Sequence, residues 1–335
     1  MQGQFSWKKG RKYCREMIRN GVENSLRYSK QYFLLDVRCF IKNCVYRAKL
    51  RFKRAKKRNV LYMVIDNRWK NPGIADRLKA MVALYNMAKY NGYTFKFYWK
   101  DPFPISDYLK PKGDFEIEKQ DLEYSIFDTR IITEKNWADN STLEKDKQYH
   151  CYLFAGNEMP KLFLNTGLKW AELFNEMFVP SDELESAYKA TEAERGLYVS
   201  VHLRFVNALE RFENTFFDNY IESEGERKKL IEKCKRGIMQ IVEANKGKDV
   251  YVFSDSKLFL EQLKDMPVHV LGSENIKHSG NSASKDGAFK TFLDLIFMSR
   301  GEKVYRINAK ELYNCSGYAP LAAAISDIPF EIYNI

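Results

Sequence analysis

The chain has 335 residues, of which 45% are hydrophobic, 15% aromatic and 30% charged, enough for one large core or two ordinary ones and too apolar for a disordered tail. Its net charge of +11 is unevenly placed: residues 1–58 hold 18 Lys and Arg against Glu16, Glu23 and Asp36, so the remainder is slightly acidic. A polyanion-seeking surface therefore belongs to a basic arm, and specific nucleic-acid binding by the body is not expected.

Six cysteines, with no Cys-x-x-Cys and no His at ligand spacing, speak against zinc and against a disulfide-stapled secreted domain. The N-terminus has no apolar h-region and no run near ~18 apolar residues follows, so neither a signal peptide nor a spanning helix is expected. These features predict a cytoplasmic protein in a reducing compartment.

From Arg11 to Arg58 apolar residues recur every three or four positions (Met17, Ile18, Val22, Leu26, Phe33, Val37, Phe40, Ile41, Val45) with basic residues between them. The pattern predicts one or two basic amphipathic helices. Such an arm suits an anionic membrane leaflet, where aromatic residues sit at the interface; it equally suits a helical pair packed on the body with a solvated basic face.

At Val60–Ile65 a continuous apolar run begins, followed by a Gly-containing loop, a helical stretch from Asp76 to Tyr90 and a second run at Tyr93–Trp99. Strand, loop, helix, strand opens a parallel α/β unit buried on both faces. Ile126–Ile132 and Cys151–Phe154 read as further strands, and the polar segment from Pro180 to Arg195 as the passage to a second domain.

The second half opens with Gly196–Arg204, a strand with a charged end. A helix at Gly225–Ala244, a strand at Val250–Phe253, a helix at Lys257–Leu263 and a strand at Val268–Leu271 follow. Then come a helix at Ala288–Ser299, a strand at Lys303–Ile307 and a helix at Gly317–Ile325. The alternation predicts a doubly wound domain, and the whole reads as α/β: an arm over 1–58, then Rossmann-like domains over 59–190 and 191–335 facing a cleft.

Ligands of open parallel sheets collect beyond the carboxyl ends of the strands, so residues just after each apolar run are the candidates. After the first strand, Gly73 permits close backbone approach, the helix N-terminus offers N–H groups and Arg77 adds a charge. At the end of Gly196–Arg204, period-two alternation puts His202 and Arg204 on one face; an Arg there suits bidentate contact with phosphate or carboxylate, or else an interdomain ion pair. Asp255, in Ser254-Asp255-Ser256, is either a helix cap or a group that holds a base or orients Arg204. In Cys315-Ser316-Gly317-Tyr318, small residues open a helix that packs tightly on the sheet or cradles a diphosphate. Asp294 is a carboxylate in an apolar helix, either paired in the core or in contact with the site.

The order of these segments, Asn-x-Gly-x-x-Asp-Arg-Leu, His-x-Arg, Ser-Asp, Leu-Asp-x-x-x-Met-Ser and Ser-Gly-Tyr, resembles the GDP-fucose-dependent fucosyltransferase superfamily over residues 60–330. That superfamily has the GT-B fold and includes α1,2-, α1,6- and protein O-fucosyltransferases. The resemblance implies that Arg204 contacts the donor diphosphate, that Gly73 and Arg77 line the cleft and that Ser316, Gly317 and Tyr318 cradle the β-phosphate. His202, Asp255 and Asp294 complete the implied donor site. A carboxylate after His-x-Arg, Glu213 in preference to Glu210, would be the base. The family often carries a second Arg after His-x-Arg, where this chain has Phe205, with Arg211 the one nearby replacement; Asp76 stands where Asn is usual.

The implied function is inverting, metal-independent transfer of fucose from GDP-fucose, used as a substrate with no cofactor, to a glycan acceptor such as a lipid-linked surface polysaccharide. Transfer from another nucleotide sugar, or non-enzymatic nucleotide or polyanion binding, are the rival readings. Walker A and G-x-G-x-x-G sequences are absent, against ATPase and dehydrogenase versions of the pattern.

Overall fold

The computed structural model describes residues 44–66, 73–133, 142–152, 167–191, 196–211, 219–272 and 285–335. Contacts divide the chain into two compact units, one built from residues up to Arg54 together with Tyr124–Phe127, the other from Ala55–Glu123 and Asp128–Ile335.

In the smaller unit residues 44–48 form a helical turn. Arg51 N donates to the Tyr124 carbonyl at 2.8 Å and Ile126 N to the Arg51 carbonyl at 3.0 Å. Tyr46 meets Tyr124 edge-on, and Phe52 meets Phe127 with ring centroids 6.1 Å apart. The expected helices over Arg11–Arg58 lie largely outside the described residues, and after Ala48 the chain is not helical. Residues 55–58 belong to the larger unit: Ala55 N donates to Asp128 Oδ2 at 2.8 Å, and Lys56 N and Lys57 N to Glu123 Oε2, which takes up the amide groups a helix would bond internally.

The larger unit is α/β and is built on two parallel sheets, as the alternation of elements predicts. The first has the order β2-β1-β5-β4, from Val60–Ile65 (β1), Thr94–Trp99 (β2), Thr129–Thr133 (β4) and Gln148–Tyr152 (β5). Helix α1 (Ile74–Tyr90) crosses between β1 and β2 and is buried nearly all round, because its Ile, Leu, Met, Val and Ala face both β1 and neighbouring helices. A short antiparallel pair joins Leu109–Pro111 (β3) to Phe178–Pro180 (β6).

The second sheet has the order β10-β9-β7-β8, from Tyr198–Leu203 (β7), Asp249–Ser254 (β8), Lys303–Asn308 (β9) and Phe330–Asn334 (β10). Helices α4 (Glu224–Ala244) and α5 (Lys257–Glu261) lie against the face carrying Val199, Val201, Leu203, Val250 and Val252. The other face, with Tyr198, Tyr251 and Phe253, joins the core that contains α1, α2 (Trp170–Met177), α6 (Lys285–Ser299) and α7 (Tyr318–Ser326). Helix α3 (Asp182–Lys189), in the stretch expected as a passage, packs on its neighbours: Tyr188 meets Phe297 edge-on and Arg300 grips Glu185 at 2.6 and 3.2 Å.

Three expected strands differ. Ile126 and Phe127 are exposed and the strand starts at Thr129, because Asp128 turns its carboxylate to Ala55 N. Over Val268–Leu271 His269 alone makes a bridge, to Tyr251, so β8 is the edge strand. Gln148–Tyr152 begins earlier than the expected Cys151 start, and 153–154 lie outside the described residues. Among the described residues no helix is long and apolar enough to cross a membrane. Cys44, Cys151, Cys234 and Cys315 are free thiols.

Candidate active site

Strand β7 alternates as its sequence predicts. Val199, Val201 and Leu203 enter one core, which leaves Ser200 and His202 on the opposite face and Arg204 just past the strand's carboxyl end. In this sheet β8 lies on one side of β7 and β9 on the other, so the chain reverses its winding at β7, the position where ligands bind in such sheets.

Asp255, at the end of neighbouring β8, fixes the turn after β7. Its Oδ1 accepts from Phe205 N and its Oδ2 from Val206 N, each at 2.7 Å, and Arg204 Nη1 lies 3.0 Å from Oδ2. The turn needs this support because Val206, a β-branched residue, sits at φ 58°. The carboxylate therefore clamps a strained turn and aims the guanidinium at once, while Phe205 is buried against Phe259.

A pocket opens at this point, lined by His202, Arg204, Ser254 and Asp255, by Gly73–Asp76 at the start of α1, by Gly287, Lys290, Thr291 and Asp294 along one face of α6, and by Tyr313 and Cys315–Tyr318 before and at the start of α7. Lys290 and Asp294 form an ion pair within α6. Tyr318 Oη donates to the Thr291 carbonyl, which ties α7 to α6, and Arg306 Nη1 holds the Ser316 carbonyl at 2.7 Å. Across the pocket Asp76 pairs with Lys79 at 2.8 Å, and a Cβ on Gly317 would come within 2.6 Å of Lys79 Nζ, so glycine lets the start of α7 approach this pair. Ser316, Gly317 and Tyr318, which line the pocket, stand at the N-terminal end of α7, the end where a helix has N–H groups without intrahelical partners and a positive dipole.

Burial, with Arg204 and Arg306 nearby, pushes the His202 imidazole down to about 3, so the ring is neutral at physiological pH. Its Nδ1 has no hydrogen-bond partner in the structure and its ring lies 5.5 Å from that of Tyr318. Burial raises the Asp294 carboxyl, opposed by Lys290, and raises the Tyr318 phenol.

Gly73, His202, Arg204, Asp255, Asp294, Ser316, Gly317 and Tyr318 are thus brought together from segments more than 200 residues apart in sequence. Arg77 is not with them: it is fully buried beside the Trp99 ring, donates to the Asp101 carbonyl at 2.9 Å, and its guanidinium is pushed down to about 10 by that burial. Glu210 accepts from Ser256 Oγ at 2.9 Å at the start of α5 and does not line the pocket. Glu213 lies outside the described residues. Asp76 and Lys290 line the pocket beyond the expected set; Lys290 shares a helix face with Gly287, Thr291 and Asp294, spaced three and four apart. Among the described residues no group of three or more His, Cys, Asp or Glu is placed to hold a metal.

The fold, a parallel-stranded α/β unit, is shared with solved fucosyltransferases. The fucosyltransferase NodZ from Bradyrhizobium superposes with a TM-score of 0.51 at 14% identity, over 80% of this chain and 92% of that one. NodZ α-1,6-fucosyltransferase soaked with GDP-fucose gives 0.52 at 14% identity, over 80% and 93%. A variant of FUT1 from Arabidopsis thaliana in complex with GDP gives 0.52 at 10% identity, over 91% of this chain and 78% of that one. No protein-family model matches the sequence, and no curated protein matches it.

Proposed function

We propose that this chain is a GT-B glycosyltransferase that moves fucose from GDP-fucose to a hydroxyl of a glycan acceptor, with inversion and without a metal. The observation that carries the reading is Arg204, aimed by Asp255 into a pocket whose far side is the N-terminus of α7, in a fold whose solved examples include complexes with GDP and GDP-fucose.

In this reading residues 191–335 hold the donor and 59–190 face the acceptor. Arg204 and the N–H groups at Ser316–Tyr318 stabilise the diphosphate as its bond to the sugar C1 breaks, which supplies the leaving-group charge compensation a metal gives elsewhere. His202, neutral and buried, offers one ring nitrogen to the nucleotide, and Asp294 offers carboxylate oxygens. Arg77 anchors the start of α1 to the Asp101 carbonyl. The acceptor oxygen attacks C1 from the face opposite the diphosphate, and Glu213, shortly after Arg204, accepts its proton.

The basic segment supports a seat on an anionic membrane surface at the cytoplasmic side. In the smaller unit Phe52 is 87% exposed beside Phe127, with Arg54 over the Phe127 ring and Lys53 adjacent, a combination suited to an anionic interface. A lipid-linked glycan, as in surface polysaccharide synthesis, is the acceptor that fits such a location.

The test is release of GDP from GDP-fucose, with and without mixed glycan acceptors, by the wild type and by Arg204→Lys. Lysine cannot reproduce a planar two-point contact, so turnover is expected to fall at least about 100-fold with the fold intact. Near-normal kcat/KM in the variant would remove Arg204, and with it this reading, from the chemistry.

A further inference from the structure

A nucleoside diphosphate brings at least two negative charges, and the residue after Arg204 does not supply a second cation. Phe205 is fully buried, with its ring centroid 4.8 Å from that of Phe259. Arg211 pairs with Glu222 at 2.9 Å, lies 4.4 Å from the centre of the Tyr220 ring and does not line the pocket. Arg306 is committed to the Ser316 carbonyl and to Asn308 Oδ1. Among the described residues that line the pocket, the cations are Arg204 and Lys290.

Lys290 stands where such a charge is useful. It rises from the α6 face that also carries Gly287, Thr291 and Asp294, and its side chain is 15% exposed. The next residue, Thr291, accepts the Tyr318 hydroxyl bond, which places this turn of α6 beside the start of α7. Each cation of the pocket is held by one acid, Arg204 by the buried Asp255 and Lys290 by the half-buried Asp294. The two holds differ in kind. Asp255 also carries two backbone amides of a strained turn and is fixed, whereas Lys290 and Asp294 sit one helical turn apart and the ammonium reaches its partner on a flexible four-carbon stem.

We propose that Lys290 is the second diphosphate-binding cation of this pocket, parked on Asp294 and turning to the phosphates when a nucleoside diphosphate enters. The proposal rests on the donor reading above for the identity of the nucleotide, though not for the role of the lysine. It replaces the second arginine that the sequence lacks with an ammonium from a different element, 86 residues further along.

The experiment is calorimetric titration of the full chain with pyrophosphate, GDP, UDP and GMP, using the wild type, Lys290→Met, Lys290→Arg and the double variant Lys290→Met with Asp294→Asn. One lost charge-assisted contact corresponds to about 10- to 100-fold, so the ratio of GDP to GMP affinity should fall by about that factor in Lys290→Met. The same fall is expected in the double variant, which leaves no stranded carboxylate and so keeps the test valid where the single variant folds poorly. Lys290→Arg should restore most of the ratio. An unchanged ratio in the double variant, or equal weakening of GDP and GMP, would overturn the proposal and leave Lys290 as the neutraliser of Asp294. Binding of UDP and pyrophosphate with this dependence, but not of GDP, would sustain Lys290 while removing the fucosyl donor. Failure of every diphosphate to bind the wild type would overturn both.

Discussion

Asp255→Asn is the substitution on which the site geometry makes the most detailed commitment. Asp255 is 8% exposed and serves three donors with two oxygens: Oδ1 receives Phe205 N, while Oδ2 receives Val206 N and faces Arg204 Nη1. Asparagine keeps one oxygen. If its amide nitrogen replaces Oδ2, it confronts two donors; if it replaces Oδ1, it confronts only Phe205 N–H, so the second orientation is favoured. Even then one buried amide loses its acceptor, at about 1–3 kcal/mol, and the charge that holds Arg204 is gone. Because Val206 is held at φ 58°, the turn has little reason to keep its shape once a clamp bond is lost. Together these terms give a loss of about 2–4 kcal/mol in unfolding free energy, overlapping the about 3–5 kcal/mol for breaking one partner of a buried pair. Urea denaturation measures it, and GDP titration of the folded variant should show weaker binding, since Arg204 is no longer aimed. A change below about 1 kcal/mol with GDP affinity intact would refute the clamp.

EDTA should leave transfer from GDP-fucose unchanged, as the sequence holds no Asp-x-Asp; strict dependence on Mn²⁺ or Mg²⁺ would contradict this. Because the His202 imidazole is held down to about 3 by burial, the unfolded chain binds a proton there that the folded chain refuses below about pH 6.5. Unfolding free energy should therefore fall as pH drops from 6.5 toward 3, by up to about 1.4 kcal/mol per unit from this group, and His202→Asn should flatten the slope; identical slopes would refute it. Phe52→Ser with Lys53→Glu and Arg54→Glu should reduce co-sedimentation with anionic vesicles, and wild-type binding should weaken as salt shortens the Debye length from about 10 Å at 0.1 M to about 3 Å at 1 M; equal binding to neutral vesicles would remove the membrane reading.

Burial decides which elements are legible in the sequence. Strands covered on both faces are rich in apolar residues, so β1, an unbroken run, and β7 and β8, apolar apart from Ser200 and His202 in one and the end residues Asp249 and Ser254 in the other, are visible, and period-two alternation puts His202 and Arg204 on one face. The edge strand Phe330–Asn334 is not visible, since all five of its residues are half-buried or exposed and carry no run. Val268–Leu271 misleads for the opposite reason, as an apolar stretch that contributes a single bridge. Arg77 shows the limit at side-chain level: a charge in the first turn of a helix after a Gly loop reads as a ligand, and only the tertiary placement of Trp99 and the Asp101 carbonyl turns it into a buried prop. Lys290 escapes a sequence reading because its pocket face is a stripe on an otherwise apolar helix, recognisable once α6 is placed against the start of α7.

The most direct test of the central claim is a thermal-shift panel of GDP, UDP, ADP and CMP on the full-length protein, repeated with Arg204→Lys. A ligand at 100 times its Kd stabilises the folded state by about 2.7 kcal/mol. The account predicts a large shift with GDP, little with the other three, and loss of the GDP shift in the variant. Stabilisation by UDP, ADP or CMP instead of GDP, or a GDP shift indifferent to Arg204, would contradict it.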